Sequence, residues 1–418
     1  MIFKRIVIGG LALVICLSLF AIFGYSTPSV QADLSYTQAD VEQLPISSDV
    51  KVVGLGEASH GVAQYHQMKA DVFKSLVKNN GCRTFIIEGD FGSALKVDRY
   101  INGGDGTAEE TVREIGFTIY RTQEMADLLQ WMRSYNETVS PEDALHFCGM
   151  DIQSFDNNKE YLFSVLDQAA PELSAEYTKA LSQLTNENNR HDLDAAALTD
   201  GKEAAAELMD KMDAAEAAIA QVSGKPAFDF ARECANTIYA YCDLQLSDNY
   251  NATRDRYMYE KVDWFLRHGD GSILFINGHN GHIGKTPVAG YQCLGELLSK
   301  NLENGYYAIG TDAEKTQFNS QKDDGGFEVV EVRNSNDLNG QLVHADSDQY
   351  FIDFASVKSD ESWSQIISSK QTVTTLNVGL SSMLKVLKFF YTTTFIPQST
   401  FDGMIVFRTV TPTTLIIK

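Results

Sequence analysis

Short apolar runs and amphipathic stretches alternate along this chain from about residue 51. Lys51–Leu55 reads as a strand. Gln64–Asn79 follows with Tyr65, Met68, Val72 and Leu76 at helical spacing, and Gly81 is placed to end that helix. Thr84–Ile87 is a second strand, Phe91–Ile101 a short helix, and Glu124–Tyr135 another, with Met125, Leu128, Leu129 and Met132 on one face. His146–Met150, Ile273–Ile276 and Tyr306–Gly310 read as further strands, with others expected at Phe327–Val332 and Met404–Phe407. Alternating strands and helices predict an α/β fold with a mostly parallel central sheet flanked by helices. Residues 157–268 carry no strand signal. Gly201–Val222 within them is alanine-rich and acidic, Asn186–Asp200 reads as a polar connection, and Arg254–Trp264 as a helix returning to the sheet. The whole stretch is expected to be a large helical insertion or cap.

Composition narrows the class. The chain has 418 residues, 44% of them hydrophobic, enough for a substantial core. A net charge of −22 without a basic patch argues against nucleic acid as a partner. The N-terminus has the layout of an export signal over residues 1–32: Lys4 and Arg5, the apolar run Ile6–Phe23, then Val30-Gln-Ala32 before Asp33. This predicts a secreted or extracytoplasmic domain over 33–418, tethered to a membrane only if the signal stays uncleaved. No later segment has the pattern of a span; the nearest, Met383–Tyr391, is broken by Lys385 and Lys388. Beyond Cys16 in the leader, Cys82, Cys148, Cys234, Cys242 and Cys293 form no metal-like cluster and read as buried small hydrophobes. Nothing in the sequence sets an oligomeric state.

Two histidine-bearing segments stand where α/β proteins build active sites, at the carboxyl ends of strands. The first is Gly54-Leu-Gly-Glu57-Ala-Ser-His60-Gly61, after Val52–Val53. The second is Asn277-Gly-His279-Asn-Gly-His282, after Ile273–Ile276. Histidine is the usual proton carrier near neutral pH. Spacing alone leaves two readings of Glu57 and His60: a carboxylate that orients a general base, or a helix cap beside a packed ring. Glu88 ends a strand, where an acid needs a partner or a task. His279 and His282 have the spacing to point one way, to bind substrate, to stabilise an oxyanion or, with Glu57, Glu88 or His60, to hold a metal. Arg254 reads as a partner for an acid of the site or as half of a surface ion pair. Ser59 reads as a turn residue, and His66, in the following helix, as a neighbour of the pocket. A Gly-x-Ser-x-Gly elbow is absent, which argues against a serine nucleophile of that type.

Taken together these motifs resemble the erythromycin esterase family. The resemblance is carried by Gly56-Glu57-Ala-Ser-His60-Gly61, Lys69, Phe85-Ile-Ile-Glu88, Gly149-Met-Asp151-Ile-Gln153, Arg254-Asp255 with Met258, Gly278-His279-Asn280 with His282, and a closing Phe401-Asp-Gly403 with Thr409–Pro412. It spans roughly residues 40–415. It implies an α/β core with helical additions and hydrolysis of an ester, a macrolactone in the best-known members. By that analogy His60 is the base for water, Glu57 orients it, and Glu88 and His279 complete the catalytic set. His282, Lys69, Asp151, Gln153 and Arg254 are then assigned to substrate binding. Ser59 departs from the family's usual threonine, and the export signal departs from its resistance enzymes.

The expectation is therefore an exported esterase or lactonase that uses neither metal nor cofactor and takes a small-molecule ester. Two rivals share the pocket: a metallohydrolase or peptidase using the same Glu/His cluster, and an exported binding protein without turnover.

Overall fold

The computed structural model describes residues 28–187, 193–322 and 324–416. The apolar leader and Cys16 lie outside the described residues, as does 188–192 of the expected polar connection. Among the described residues there are ten strands: β1 Val52–Glu57, β2 Thr84–Asp90, β3 His146–Asp151, β4 Leu274–His279, β5 Tyr306–Gln321, β6 Phe327–Arg333, β7 Gln349–Asp353, β8 Gln371–Thr374, β9 Thr392–Phe395 and β10 Gly403–Val410. Eight build one sheet in the order β3-β2-β4-β1-β5-β10-β7, with β6 paired to β5 off that path. Pairing is parallel from β3 through β10, and β6 and β7 are antiparallel. β8 and β9 form a separate antiparallel pair.

The central strands are buried on both faces, as their apolar runs demand. Alternate residues feed two cores. Val52, Ile86, Met150, Leu274 and Ile276 face one side, and Val53, Leu55, Phe85, Phe147 and Phe275 the other. Helix Ala63–Asn80 covers the second side and ends at Gly81, whose φ of 69° is left-handed. The described residues of 157–268 carry helices and no strand, as expected, ending in helices Lys225–Leu246 and Tyr250–His268. They share the first core with the sheet through Ala231, Ile238, Met258 and Val262.

Two expectations are corrected. The connection expected over Asn186–Asp200 is already helical from Ala195, because Asp194 caps helix Ala195–Ala214 by accepting the Ala197 N–H at 2.7 Å. The first four strands also run past the bounds expected for them, so that Glu57, Glu88, Asp151 and His279 lie within the strands rather than just beyond them. Ladder pairing carries them there, with Glu57 in register with His279. At the amino-terminal side, Pro28–Ala32 lie against the segment that follows β6. Ser29 N–H donates to Asp337 at 2.8 Å and Ala32 N–H to Gln341 at 3.0 Å, contacts that cleavage before Asp33 would remove. Among the described residues no helix is long and apolar enough to cross a membrane.

Candidate active site

The four neighbouring strands β3, β2, β4 and β1 each carry a polar residue of one cluster at or near the carboxyl end: Asp151, Glu88, His279 and Glu57. The two histidine segments therefore converge, and the His60 and His279 ring centroids lie 5.5 Å apart. Gly278 permits the close fit, since a Cβ there would sit 3.0 Å from a Glu88 carboxylate oxygen. Gly61, with φ of 75°, turns the chain directly after His60.

Glu57 holds His60. Its Oε1 lies 2.6 Å from His60 Nδ1, and its Oε2 lies 3.0 Å from Lys69 Nζ. Glu57 and Lys69 are both buried. Burial pushes the Glu57 acid up, but Lys69 and His60 outweigh it and hold the carboxyl well below its usual range. Because an ionised carboxylate only accepts, His60 must donate from Nδ1, which leaves Nε2 as the basic nitrogen of the neutral ring.

His279 has the opposite polarity. Its Nδ1 accepts the Gly281 N–H at 3.1 Å, so the neutral ring carries its proton on Nε2, a buried atom without a hydrogen-bond partner. Burial, with His60 and His282 nearby, pulls its pKa down to about 3, so the ring is neutral at pH 7. Behind it, Glu88 accepts the His279 backbone N–H at 2.8 Å and Arg254 Nη2 at 2.8 Å. Arg254 also forks onto Asp151 at 3.1 and 2.6 Å. Gln153 donates to Asp151 at 2.9 Å and accepts from Tyr250 at 2.7 Å. Glu88 is held well below its normal range, because His282 and Arg254 overcome the opposing effect of burial.

His282, the third imidazole, is charged at neutral pH. Burial lowers its pKa, but Asp255, 2.9 Å from Nδ1, and Glu88 raise it to about 10. This sets a pH window. The raised folded value contributes stability that is full below about 6.5, the unfolded value, and is lost as pH rises through about 10. His279 works the other way, contributing above about 6.5 and losing that contribution as pH falls towards 3. Melting temperature is expected to fall on both sides of a maximum near neutrality. The alkaline limb should flatten in Asp255→Asn, as thermal melts at stepped pH would show.

His60, Glu88, Gln153, Arg254, His279 and His282 line one cleft of about 600 Å³, whose far wall comes from Phe117, Ile119, Val373, Val378 and Phe395. Lys69 and Asp151, read from sequence as substrate-binding, do not line it. Both are fully buried and reach Glu57 and Arg254 instead. His66 is likewise buried, with Nδ1 3.4 Å from the Thr122 hydroxyl, and does not border the cleft. Ser59 donates to its neighbour's carbonyl, as a turn residue does. Two contributors were not assigned roles from sequence. Asp255 is fully buried and orients His282. Asn280 ties the second histidine segment to Thr311 through both ends of its amide, at 2.8 and 3.2 Å. Among the described residues no three His, Cys, Asp or Glu side chains are grouped so as to hold a metal ion.

Known proteins resemble this chain in sequence and in fold. The family model described as erythromycin esterase matches residues 77–410, beginning after the first histidine segment. Erythromycin esterase type II of Escherichia coli is 23% identical over 297 residues, covering 63% of this chain and 69% of the relative. A Bacillus cereus protein of known structure superposes with a TM-score of 0.76 at 23% identity, covering 88% of this chain and 90% of its own. An erythromycin esterase mutant in its open conformation does so with a TM-score of 0.65 at 15% identity, covering 90% and 94%. At those identities the structures establish the fold. The sequence match, running through strands β2 to β10, establishes descent: this chain belongs to the erythromycin esterase family of hydrolases.

Proposed function

We propose that this protein hydrolyses an ester or lactone by direct attack of a water molecule that His60 activates. The observation that carries this reading is the pairing of two imidazoles of opposite polarity across one cleft, 5.5 Å between centroids. His60, fixed through Nδ1, offers a basic Nε2; His279, fixed through Nδ1 as an acceptor, offers an Nε2 proton. Water gives its proton to His60 Nε2 as its oxygen adds to the acyl carbon, and the carbonyl π pair moves onto oxygen. That oxyanion takes the His279 Nε2–H hydrogen bond, with the positive charges of Arg254 and His282 close by. On collapse the C–O bond to the alcohol breaks, and the leaving alkoxide takes the proton back from His60. The products are an acid and an alcohol, and the enzyme is unchanged.

Glu57 serves here as the orienting carboxylate, with Lys69 steadying it from beneath. Glu88 serves as a neutralised strut, since both its oxygens already accept hydrogen bonds. The ester named in the Escherichia coli relative, a macrolactone of the erythromycin type, is one candidate for a cleft of this size. Export belongs to the same reading and rests on Lys4, Arg5 and the apolar run up to Phe23.

The test is acid release from a panel of esters and lactones, macrolides included, with and without chelator. Hydrolysis of at least one member, indifferent to chelator, is the expected result. Loss of activity with chelator would transfer the chemistry to a metal, and no hydrolysis across the panel would contradict the reading. In the same assay His279→Ala is expected to lower kcat by about 10²-fold, with a smaller change in KM, because its proton meets the substrate oxygen only as charge develops.

A further inference from the structure

A second cavity, of about 380 Å³, adjoins the catalytic cleft, and Phe117 and Gln153 line both. The segment that supplies Phe117 and Ile119 to the cleft wall also supplies Arg113 and Arg121 to the second cavity. These arginines differ from Arg254, whose charge is met by Glu88 and Asp151. Neither Arg113 nor Arg121 has an ion-pair partner among the described residues, and the Nε atoms of both are buried with no hydrogen-bond partner.

The acids at this cavity are already engaged. Asp90 accepts the Ser93 N–H and hydroxyl on one oxygen, at 2.7 and 2.8 Å, and Asn158 on the other at 3.0 Å. Glu114 lies 3.3 Å from Lys96. A buried N–H without an acceptor is unfavourable, and folded proteins rarely leave one. This chain has 56 acidic residues against 34 basic ones, so two unanswered guanidinium groups beside a cleft are not explained by a shortage of carboxylates. The arginine fork matches the oxygens of carboxylate, phosphate or sulfate.

We propose that Arg113 and Arg121 form a subsite for an oxyanion carried by the substrate, so that the favoured ester bears a carboxylate, phosphate or sulfate remote from the carbonyl under attack. The ester half of this statement rests on the hydrolase reading; the anion half does not. The subsite makes specificity a matter of the far end of the molecule, while His60 and His279 act on the near end.

Calorimetry of the full chain with glutarate, inorganic phosphate and sulfate reads the subsite without turnover, and the three arms separate the anion types. Saturable binding of at least one is expected, weakened about tenfold or more in the double variant Arg113→Gln, Arg121→Gln. The double lysine variant keeps the charge and should retain part of the binding, and thermal melts of both variants separate lost binding from lost folding. In parallel, esters of one alcohol with acyl chains ending in carboxylate or in methyl are compared. The acidic-to-neutral ratio of kcat/KM should exceed one, and should fall about tenfold in the glutamine variant. No binding of any of the three anions, or equal binding by the wild type and a folded glutamine variant, would overturn the subsite. Arginine-dependent binding with no ester hydrolysed would keep the subsite and remove the hydrolase reading.

Discussion

His60→Asn is expected to lower kcat/KM by about 10³-fold, with the protein still folded. Asparagine is the informative replacement. Its amide nitrogen falls near the position of Nδ1 and can still donate to Glu57, so the buried carboxylate keeps a partner. What it lacks is a basic atom at the position of Nε2. His60 borders the cleft, and Glu57 retains Lys69 behind it, so the change in stability should stay within about 1 kcal/mol. Kinetics on the best ester of the panel, beside a thermal melt, separate the two effects. A variant that keeps wild-type turnover would remove His60 from the chemistry; one that loses turnover only by unfolding would make His60 structural.

Lys69→Met should have the largest effect on the fold. Lys69 is fully buried, and its ammonium is matched to Glu57 Oε2 at 3.0 Å and lies 5.2 Å from the centre of the Tyr120 ring. Methionine fills similar volume but leaves Glu57 as a buried carboxylate with only His60 to answer it. Removing one partner of a buried pair costs about 3–5 kcal/mol, because the remaining charge is stranded. The cost has a chemical signature that a simple packing defect lacks. Without Lys69 the Glu57 carboxyl loses the largest influence holding its pKa down, while the burial that pushes it up remains. The variant should therefore lose stability as pH falls, at higher pH than the wild type does, and turnover should fall along the same limb. Lys69→Arg, which keeps the charge, should recover part of both. Equal acid stability in wild type and Lys69→Met would mean that the pair contributes little.

Much of the fold was legible because its strands are short apolar runs between amphipathic helices, and the histidine segments follow two of those runs. Their convergence was not legible. It depends on β4 inserting between β2 and β1, a choice of strand order that leaves no periodicity in the sequence. The depth of Lys69 was hidden for a different reason: lysine is rarely buried, and helical spacing does not say which face carries an internal ion pair. Asp255 stood beside the more conspicuous Arg254, yet the two turn to different tasks, Arg254 to Glu88 and Asp151, Asp255 to His282. The wall of the cleft formed by residues 373–395 came from short, weakly patterned segments, where β8 and β9 pair only with each other.

A single turnover in ¹⁸O-labelled water, with enzyme in excess over its best ester, tests direct water attack by mass spectrometry of product and rapidly quenched enzyme. Label in the released carboxylate, none in the alcohol, and no mass added to the enzyme are the expected results. An acylated enzyme, label fixed in one of its own carboxylates, or label in the alcohol would contradict attack of His60-activated water on the acyl carbon.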